Sequence, residues 1–166
     1  MLKEKIIEEI SNKLEYKISE VEEELNLLKK DKNEITKSSA GDKFETSRAT
    51  IQSQFDKVSI NLIKLKDQLR KIKLISISSK PQKIGYGTLV KTTNSIYMVS
   101  IGYGKLTLGS KDVYVISPLS PIGRKLIDRQ EGESISFNSK TEEIREIFEE
   151  PINIKLDLNI ISEVGR

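Results

Sequence analysis

The sequence predicts an α+β fold, in which an N-terminal antiparallel coiled-coil hairpin over residues 1–73 precedes a small antiparallel sheet domain with one short helix. Two observations support this prediction. Residues 1–73 contain no proline and a single glycine, and their apolar side chains recur every three or four residues. After residue 74, apolar and polar residues alternate in short runs that glycine, asparagine and aspartate interrupt.

Two apolar runs define the predicted helices, and both have the three-and-four spacing of a coiled-coil seam. The first comprises Leu2, Ile6, Ile10, Leu14, Ile18, Val21, Leu25 and Leu28, and the second Phe55, Val58, Leu62, Leu65, Leu69 and Ile72. Each run predicts an arm of about 45 Å, since an α-helix rises about 1.5 Å per residue. Such a rod does not enclose a substrate pocket, so its shape favours reach, bracing or assembly.

In an antiparallel hairpin, the position numbers of facing residues have a nearly constant sum. Pairing Ile18 with Leu62 and Leu25 with Phe55 gives the same sum, and half of it places the apex near residue 40. The apolar pattern lapses at the same point, where serine, threonine and glycine are typical of a turn. These two features predict a turn with an acidic tip near residues 36–46.

Six short strands and one helix are predicted beyond a linker over residues 74–84, in which Pro81 excludes a helix. In the predicted helix, Ser120 is the N-cap and Pro121 occupies the first helical position. The predicted strands cover 85–90, 95–100, 105–108, 113–116, 134–138 and 143–148, and the helix covers 120–127.

This sheet domain is expected over residues 85–150, and a tail follows over residues 151–166. Apolar and polar residues alternate at every step from Ile152 to Ile160. The alternation predicts either an extra half-buried strand or a segment that becomes ordered only against a partner.

Composition excludes several classes of function. The chain has no cysteine and no histidine, which argues against disulfides, thiolate chemistry, triad hydrolysis and ordinary zinc sites. The net charge is +3, without the clustered basic excess typical of direct nucleic-acid binding. No apolar run reaches the length of a membrane span and no signal peptide is evident. A cytoplasmic protein without a membrane partner is therefore expected.

The candidate chemistry lies in two carboxylates at the predicted tip. Asp42 and Glu45 stand three residues apart at a helix start, where they share one face. Paired carboxylates can contribute oxygen ligands to a hard cation such as Mg²⁺, although a full site needs ligands from elsewhere. The same spacing also fits a capping box that satisfies free backbone amides. Both interpretations remain open from the residues alone, and no intrinsic catalytic residue is predicted.

Residues 115–133 resemble the signature of the C-terminal domain of the Gre transcript-cleavage factors. A strand leads into Ser-Pro-Ile-Gly at 120–123, a short helix ends in Lys-Leu-Ile at 125–127, and a Gly-Glu turn follows at 132–133. At the tip, Asp42 and Glu45 match the spacing of the acidic pair in that family. The resemblance covers roughly residues 1–148.

The resemblance implies an FKBP-like C-terminal domain and a role as a transcription elongation regulator. Gre factors insert their hairpin into the secondary channel of bacterial RNA polymerase while the C-terminal domain sits on the rim. By analogy, Asp42 and Glu45 would help hold Mg²⁺ in trans, so that the polymerase itself cuts a backtracked transcript. Docking would involve Ser120, Pro121, Ile122 and Gly123.

The same analogy implies that the protein is not itself an enzyme and has no cofactor of its own beyond the Mg²⁺ shared with RNA polymerase. Nucleic acid would be contacted only through the polymerase complex, and a monomer is expected.

The tip departs from the family pattern, because Lys43 and Phe44 replace a small apolar and a small polar residue. Lys43 would repel a dication and Phe44 adds bulk. A non-cleaving regulator that binds the channel is therefore a second hypothesis. A third is a coiled-coil adaptor or chaperone-like protein unrelated to transcription, and a fourth is a peptidyl-prolyl isomerase in the C-terminal domain.

Overall fold

The computed structural model describes residues 2–37, 42–75 and 81–148. Two long helices, α1 (Leu2–Lys37) and α2 (Asp42–Lys73), precede six strands and one short helix, which confirms the α+β class. The chain divides into two compact units. The hairpin unit is Lys5–Leu74, and the sheet unit joins Met1–Glu4 to Ile75–Arg166.

The two long helices run antiparallel. The Nζ atom of Lys66 lies 2.6 Å from Oε1 of Glu22, and that of Lys73 lies 2.5 Å from Oε1 of Glu15, so later positions on α2 meet earlier positions on α1. The helix α1 ends at Lys37 and α2 begins at Asp42. The predicted turn between them falls on residues 38–41, which lie outside the described part of the chain. The predicted facing of individual seam residues stays a prediction.

Burial of the seam decreases toward the tip. Ile10 is completely buried, Leu14 is 3 % exposed and Val21 is 7 % exposed. Beyond them Leu28 on α1 and Phe55 on α2 are only half-buried. Because apolar burial is the main stabilising term for a coiled coil, the stabilisation is concentrated in the half of the hairpin that is remote from the tip.

The sheet contains β1 (Leu89–Thr92), β2 (Ile96–Val99), β3 (Gly104–Leu108), β4 (Lys111–Ile116), β5 (Ser134–Phe137) and β6 (Lys140–Ile147). Their spatial order is β3-β4-β2-β1-β6-β5. The prediction of a fully antiparallel sheet is wrong, because β2 and β4 pair in parallel. After β2, the chain forms β3 two positions away in the sheet and returns through a hairpin. The strand β4 therefore lies between β3 and β2 and runs in the same direction as β2.

The first strand begins later than predicted, at Leu89 instead of Gly85. Residues 85–88 form a turn in which Gly87 has a φ of +84°, a conformation that favours glycine. The N–H of Thr88 bonds to the carbonyl of Gly85, and the N–H of Gly87 bonds to the carbonyl of Val99. Residues 85–88 therefore form a turn that is hydrogen-bonded to the end of β2, and β1 does not include them.

The hairpin that joins β5 to β6 has a two-residue loop. Its residues, Asn138 and Ser139, have φ values of +50° and +61°. Positive φ at both loop positions defines the type I′ turn, whose twist matches that of paired strands. The tight turn explains why β6 begins at Lys140, three residues earlier than predicted.

The main core of the sheet unit joins one face of the sheet to the helix α3 (Pro121–Leu126). Its fully buried members include Val90, Val99, Leu126 and Ile144. The core therefore fixes the position of α3 and of the segment that leads into it.

Candidate functional site

The predicted acidic tip lies at the start of α2. Asp42 is its first residue, and Glu45 is exposed in its first turn. The side chain of Asp42 and residues 38–41, which include the N-cap position before α2, lie outside the described part of the chain. The metal-ligand and the capping interpretations of this pair therefore both stay predictions.

A small polar cluster joins the two helices below the tip. The Nζ atom of Lys32 donates to Oε1 of Gln52 at 2.6 Å, and Nε2 of Gln52 donates to Oδ1 of Asp56 at 2.6 Å. The Lys32 ammonium also lies 5.7 Å from the centre of the Phe55 ring, within range of a cation–π interaction. These exposed contacts brace the arms where the apolar seam is weakest.

Among the residues that the structure describes, no group of three carboxylate, histidine or cysteine side chains is placed to hold a metal ion. Within the same residues, no helix is both long and apolar enough to cross a membrane.

The second predicted site is the turn that leads from β4 into α3. The Oγ atom of Ser120 accepts the N–H of Gly123 at 3.1 Å and donates to the carbonyl of Ser117 at 2.6 Å. The N–H of Leu119 donates to Oγ of Ser117 at 3.1 Å. Ser120 is therefore the N-cap of α3, and Pro121 follows at the first helical position, as predicted.

Two of the four predicted docking residues are inside the sheet unit. Ile122 is 8 % exposed and Gly123 is buried. A Cβ atom on Gly123 would stand 2.1 Å from the carbonyl oxygen of Ser117, so no larger residue fits without a backbone shift. The glycine of the Ser-Pro-Ile-Gly motif is therefore needed for packing, because the turn before α3 lies too close to the start of the helix for a larger residue.

The exposed part of this turn coincides only partly with the predicted docking residues. Leu119 is 75 % exposed, the most exposed large apolar side chain among the described residues, and Pro121 is also exposed. Arg124 and Lys125 are exposed on the next turn of the helix. The sequence offered one sign of this arrangement, because Leu119 lies between the prolines at 118 and 121 and cannot continue β4.

Hydrogen bonds to the charged side chain of Glu133 stabilise the segment that follows α3. Oε1 of Glu133 lies 2.9 Å from Nη1 of Arg129, and Oε2 accepts the N–H of Gln130 at 2.6 Å. These two bonds hold the pKa of Glu133 below its ordinary value, with the Arg129 bond the larger cause. The return from α3 to β5 is therefore ordered by an ionised carboxylate.

The sequence did not reveal a buried carboxylate at the start of β6. Glu142 is 7 % exposed and accepts a hydrogen bond from Oγ1 of Thr92 at 2.5 Å. The hydroxyl of Tyr97 lies 3.4 Å from both carboxylate oxygens, and burial raises the pKa of Tyr97. Since Thr92 also accepts the N–H of Ser95, this cluster fastens the loop between β1 and β2.

In a comparison with known proteins, no family model and no curated protein matches this chain.

Proposed function

We propose that this protein binds bacterial RNA polymerase and regulates transcription elongation by placing the tip of its hairpin in the secondary channel. The observation that carries the proposal is the pairing of a long antiparallel hairpin with a sheet unit whose turn is rigid and apolar at its surface. Helices of 36 and 32 residues have lengths of about 50 Å. That length is sufficient for the tip to act at a buried active centre.

The turn around Leu119 is the part of the sheet unit best suited to docking. Three side-chain hydrogen bonds and the close packing at Gly123 hold the backbone around Leu119 in place, so little backbone entropy is lost when this residue is buried. The neighbouring Arg124 and Lys125 favour a partner surface in which acidic residues surround an apolar pocket.

Two modes of regulation follow from the tip. If Asp42 and Glu45 share Mg²⁺ with the polymerase, the protein stimulates cleavage of backtracked transcripts by the enzyme. If Lys43 weakens that site by repelling the dication, the protein occupies the channel without cleavage. The identity of Lys43 is the specific observation that favours the second mode.

The docking experiment measures the affinity of the full chain for core RNA polymerase. We expect Leu119→Ser to weaken binding about tenfold, the usual loss for a buried apolar contact at an interface. The matched control is Leu74→Ser, because Leu74 has a similar exposure of 70 %. Absence of binding by the wild type would overturn the proposal and favour a coiled-coil adaptor, and equal effects of both substitutions would remove the turn from docking.

The tip experiment measures transcript cleavage in stalled elongation complexes. In the cleaving mode, the double variant Asp42→Asn, Glu45→Gln binds the polymerase normally but loses cleavage, because amides bind Mg²⁺ much less well than carboxylates. Lys43→Leu then increases cleavage. In the non-cleaving mode, the wild type binds without cleavage at any Mg²⁺ concentration. Cleavage that persists in the double variant would exclude the two carboxylates from the mechanism.

A further inference from the structure

Lys32 occupies a position that the heptad pattern of α1 assigns to an apolar residue. The seam advances in steps of three and four through Val21, Leu25 and Leu28, and the next two steps are Lys32 and Ile35. In coiled coils, a single lysine or asparagine in the seam specifies the register of the helices at some cost in stability. The lysine in the seam of α1 is therefore placed to control register.

The contacts of Lys32 are directional and reach the opposite arm. Its Nζ atom donates to Oε1 of Gln52 at 2.6 Å and lies 5.7 Å from the centre of the Phe55 ring. The amide of Gln52 is itself held, because its Nε2 atom donates to Oδ1 of Asp56 at 2.6 Å. An axial shift of one arm by a helical turn, about 5.4 Å, would carry Lys32 and Gln52 out of hydrogen-bond distance in these conformations.

The apolar seam in this part of the hairpin gives little resistance to such a shift. Leu25 and Leu28 on α1 and Phe55 on α2 are only half-buried, whereas Val21 is 7 % exposed. Apolar burial is non-directional, so it holds the arms together without selecting one axial alignment. The alignment near the tip therefore depends on polar contacts between the arms.

From the seam position of Lys32 and its contacts with Gln52 and Phe55, we propose that Lys32 determines the register of the arms near the tip and is a positioning residue for Glu45. Glu45 lies seven residues before Gln52 on the same helix, about 10 Å along its axis. An axial shift at Gln52 therefore displaces Glu45 as well. The consequence for transcription rests on the proposed function, but the register is a property of the free protein.

The first test measures the register in the free protein. Because the chain has no cysteine, nitroxides on Lys30→Cys and Ser53→Cys, both at exposed positions, report the distance between the arms by pulsed electron paramagnetic resonance. We expect Lys32→Met to widen the distance distribution about twofold without lowering the thermal stability, because burial of methionine in the seam replaces the lost contacts but selects no register. Lys32→Arg retains the cation and should keep the wild-type width.

Two controls separate register from stability. Lys29→Met removes an exposed lysine for which the described residues provide no ion pair, and it should leave the width unchanged. Nitroxides on Glu23→Cys and Ile60→Cys, closer to the buried part of the seam, should give the same distribution in wild type and Lys32→Met. An unchanged width in Lys32→Met, or equal widening in Lys29→Met, would overturn the proposal. Widening with a lower thermal stability would show that Lys32 only stabilises the arms.

The second test measures the effect on stalled elongation complexes. Lys32→Met should bind core RNA polymerase with wild-type affinity, but its effect on these complexes should fall about tenfold, because small displacements of a reacting group are costly. A wild-type effect together with a widened distribution would overturn the positioning role of Lys32. If the wild type does not bind the polymerase, the proposed function fails, and the distance measurement still decides whether Lys32 sets the register.

Discussion

Along the hairpin, the exposed fraction of the seam rises from 0 % at Ile10 to 7 % at Val21, and Leu28 near the tip is only half-buried. In the sheet unit, by contrast, the helix α3 and the turn before it pack so closely that Gly123 has no space for one further methyl group. The hairpin is therefore stabilised by burial that is graded along its length, whereas the turn of the sheet unit is fixed by steric fit and hydrogen bonds.

This contrast separates two requirements of the proposed function. A probe that enters a channel needs length and a polar surface, and the polar contacts of Lys32 provide cohesion where apolar burial is small. A docking surface needs a defined shape, which the hydrogen bonds of Ser120 and the packing of Gly123 provide. We therefore expect the distal hairpin to tolerate substitution better than the turn of the sheet unit.

The largest expected effect concerns the gradient in the hairpin. Ile10→Ala removes a completely buried side chain and should destabilise the hairpin by about 3 kcal/mol. Leu28→Ala removes a half-buried side chain and should cost about 1 kcal/mol. The measurement is urea unfolding followed by circular dichroism at a helix-sensitive wavelength. Equal losses at the two positions would contradict a graded core.

A somewhat smaller effect is expected at the turn of the sheet unit. Gly123→Ala would gain up to about 1 kcal/mol from helix propensity, but its Cβ atom meets a backbone oxygen that cannot rotate away. We expect a net loss of about 2 kcal/mol in the free energy of unfolding. Gly102→Ala is the matched control, since its Cβ would lie 3.7 Å from Ser117, an ordinary contact. Unfolding of both variants at the same urea concentration would show that the turn has space for a methyl group at position 123.

The sequence was sufficient to predict the elements of the hairpin but not the neighbours of the strands. The spacing of three and four is a local signal, so the two helices followed directly from it. The parallel pairing of Tyr97 with Tyr114 depends on where β3 returns, and no local pattern contains that information. Thr92 and Glu142 are likewise brought together across 50 positions.

The candidate docking residues were predicted correctly as an element and only in part as a surface. Ser120 and Pro121 have the cap and first-turn positions that their chemistry favours. The burial of Ile122 arises from its contact with the core of the sheet unit, which a one-dimensional pattern does not specify. Leu119 was missed because a large apolar residue is ordinarily expected inside the protein.

The smallest effects are expected from replacing two exposed carboxylates, one in each unit, whose pKa values are both lowered. For Glu133 the causes are the bond from Arg129 and then the backbone N–H of Gln130, and for Asp67 they are the side chains of Lys71 and Arg70. A carboxylate with a lowered folded-state pKa contributes stability that is present above its unfolded-state pKa and is lost as the pH falls through the folded-state pKa. Both contributions should therefore disappear on acidification.

Glu133→Gln should destabilise the sheet unit at about pH 7 and have a smaller effect at about pH 3, because the wild-type carboxylate gains protons as the pH falls through its lowered pKa. Asp67→Asn should have a smaller effect on the hairpin, because its partners are exposed side chains of the same helix and no backbone N–H loses its acceptor. Arg129→Gln removes the larger cause of the Glu133 shift and should reproduce most of the pH dependence. The measurement is the urea midpoint of each unit between the two pH values. A Glu133→Gln effect that is the same at both would show that the carboxylate charge does not stabilise the turn.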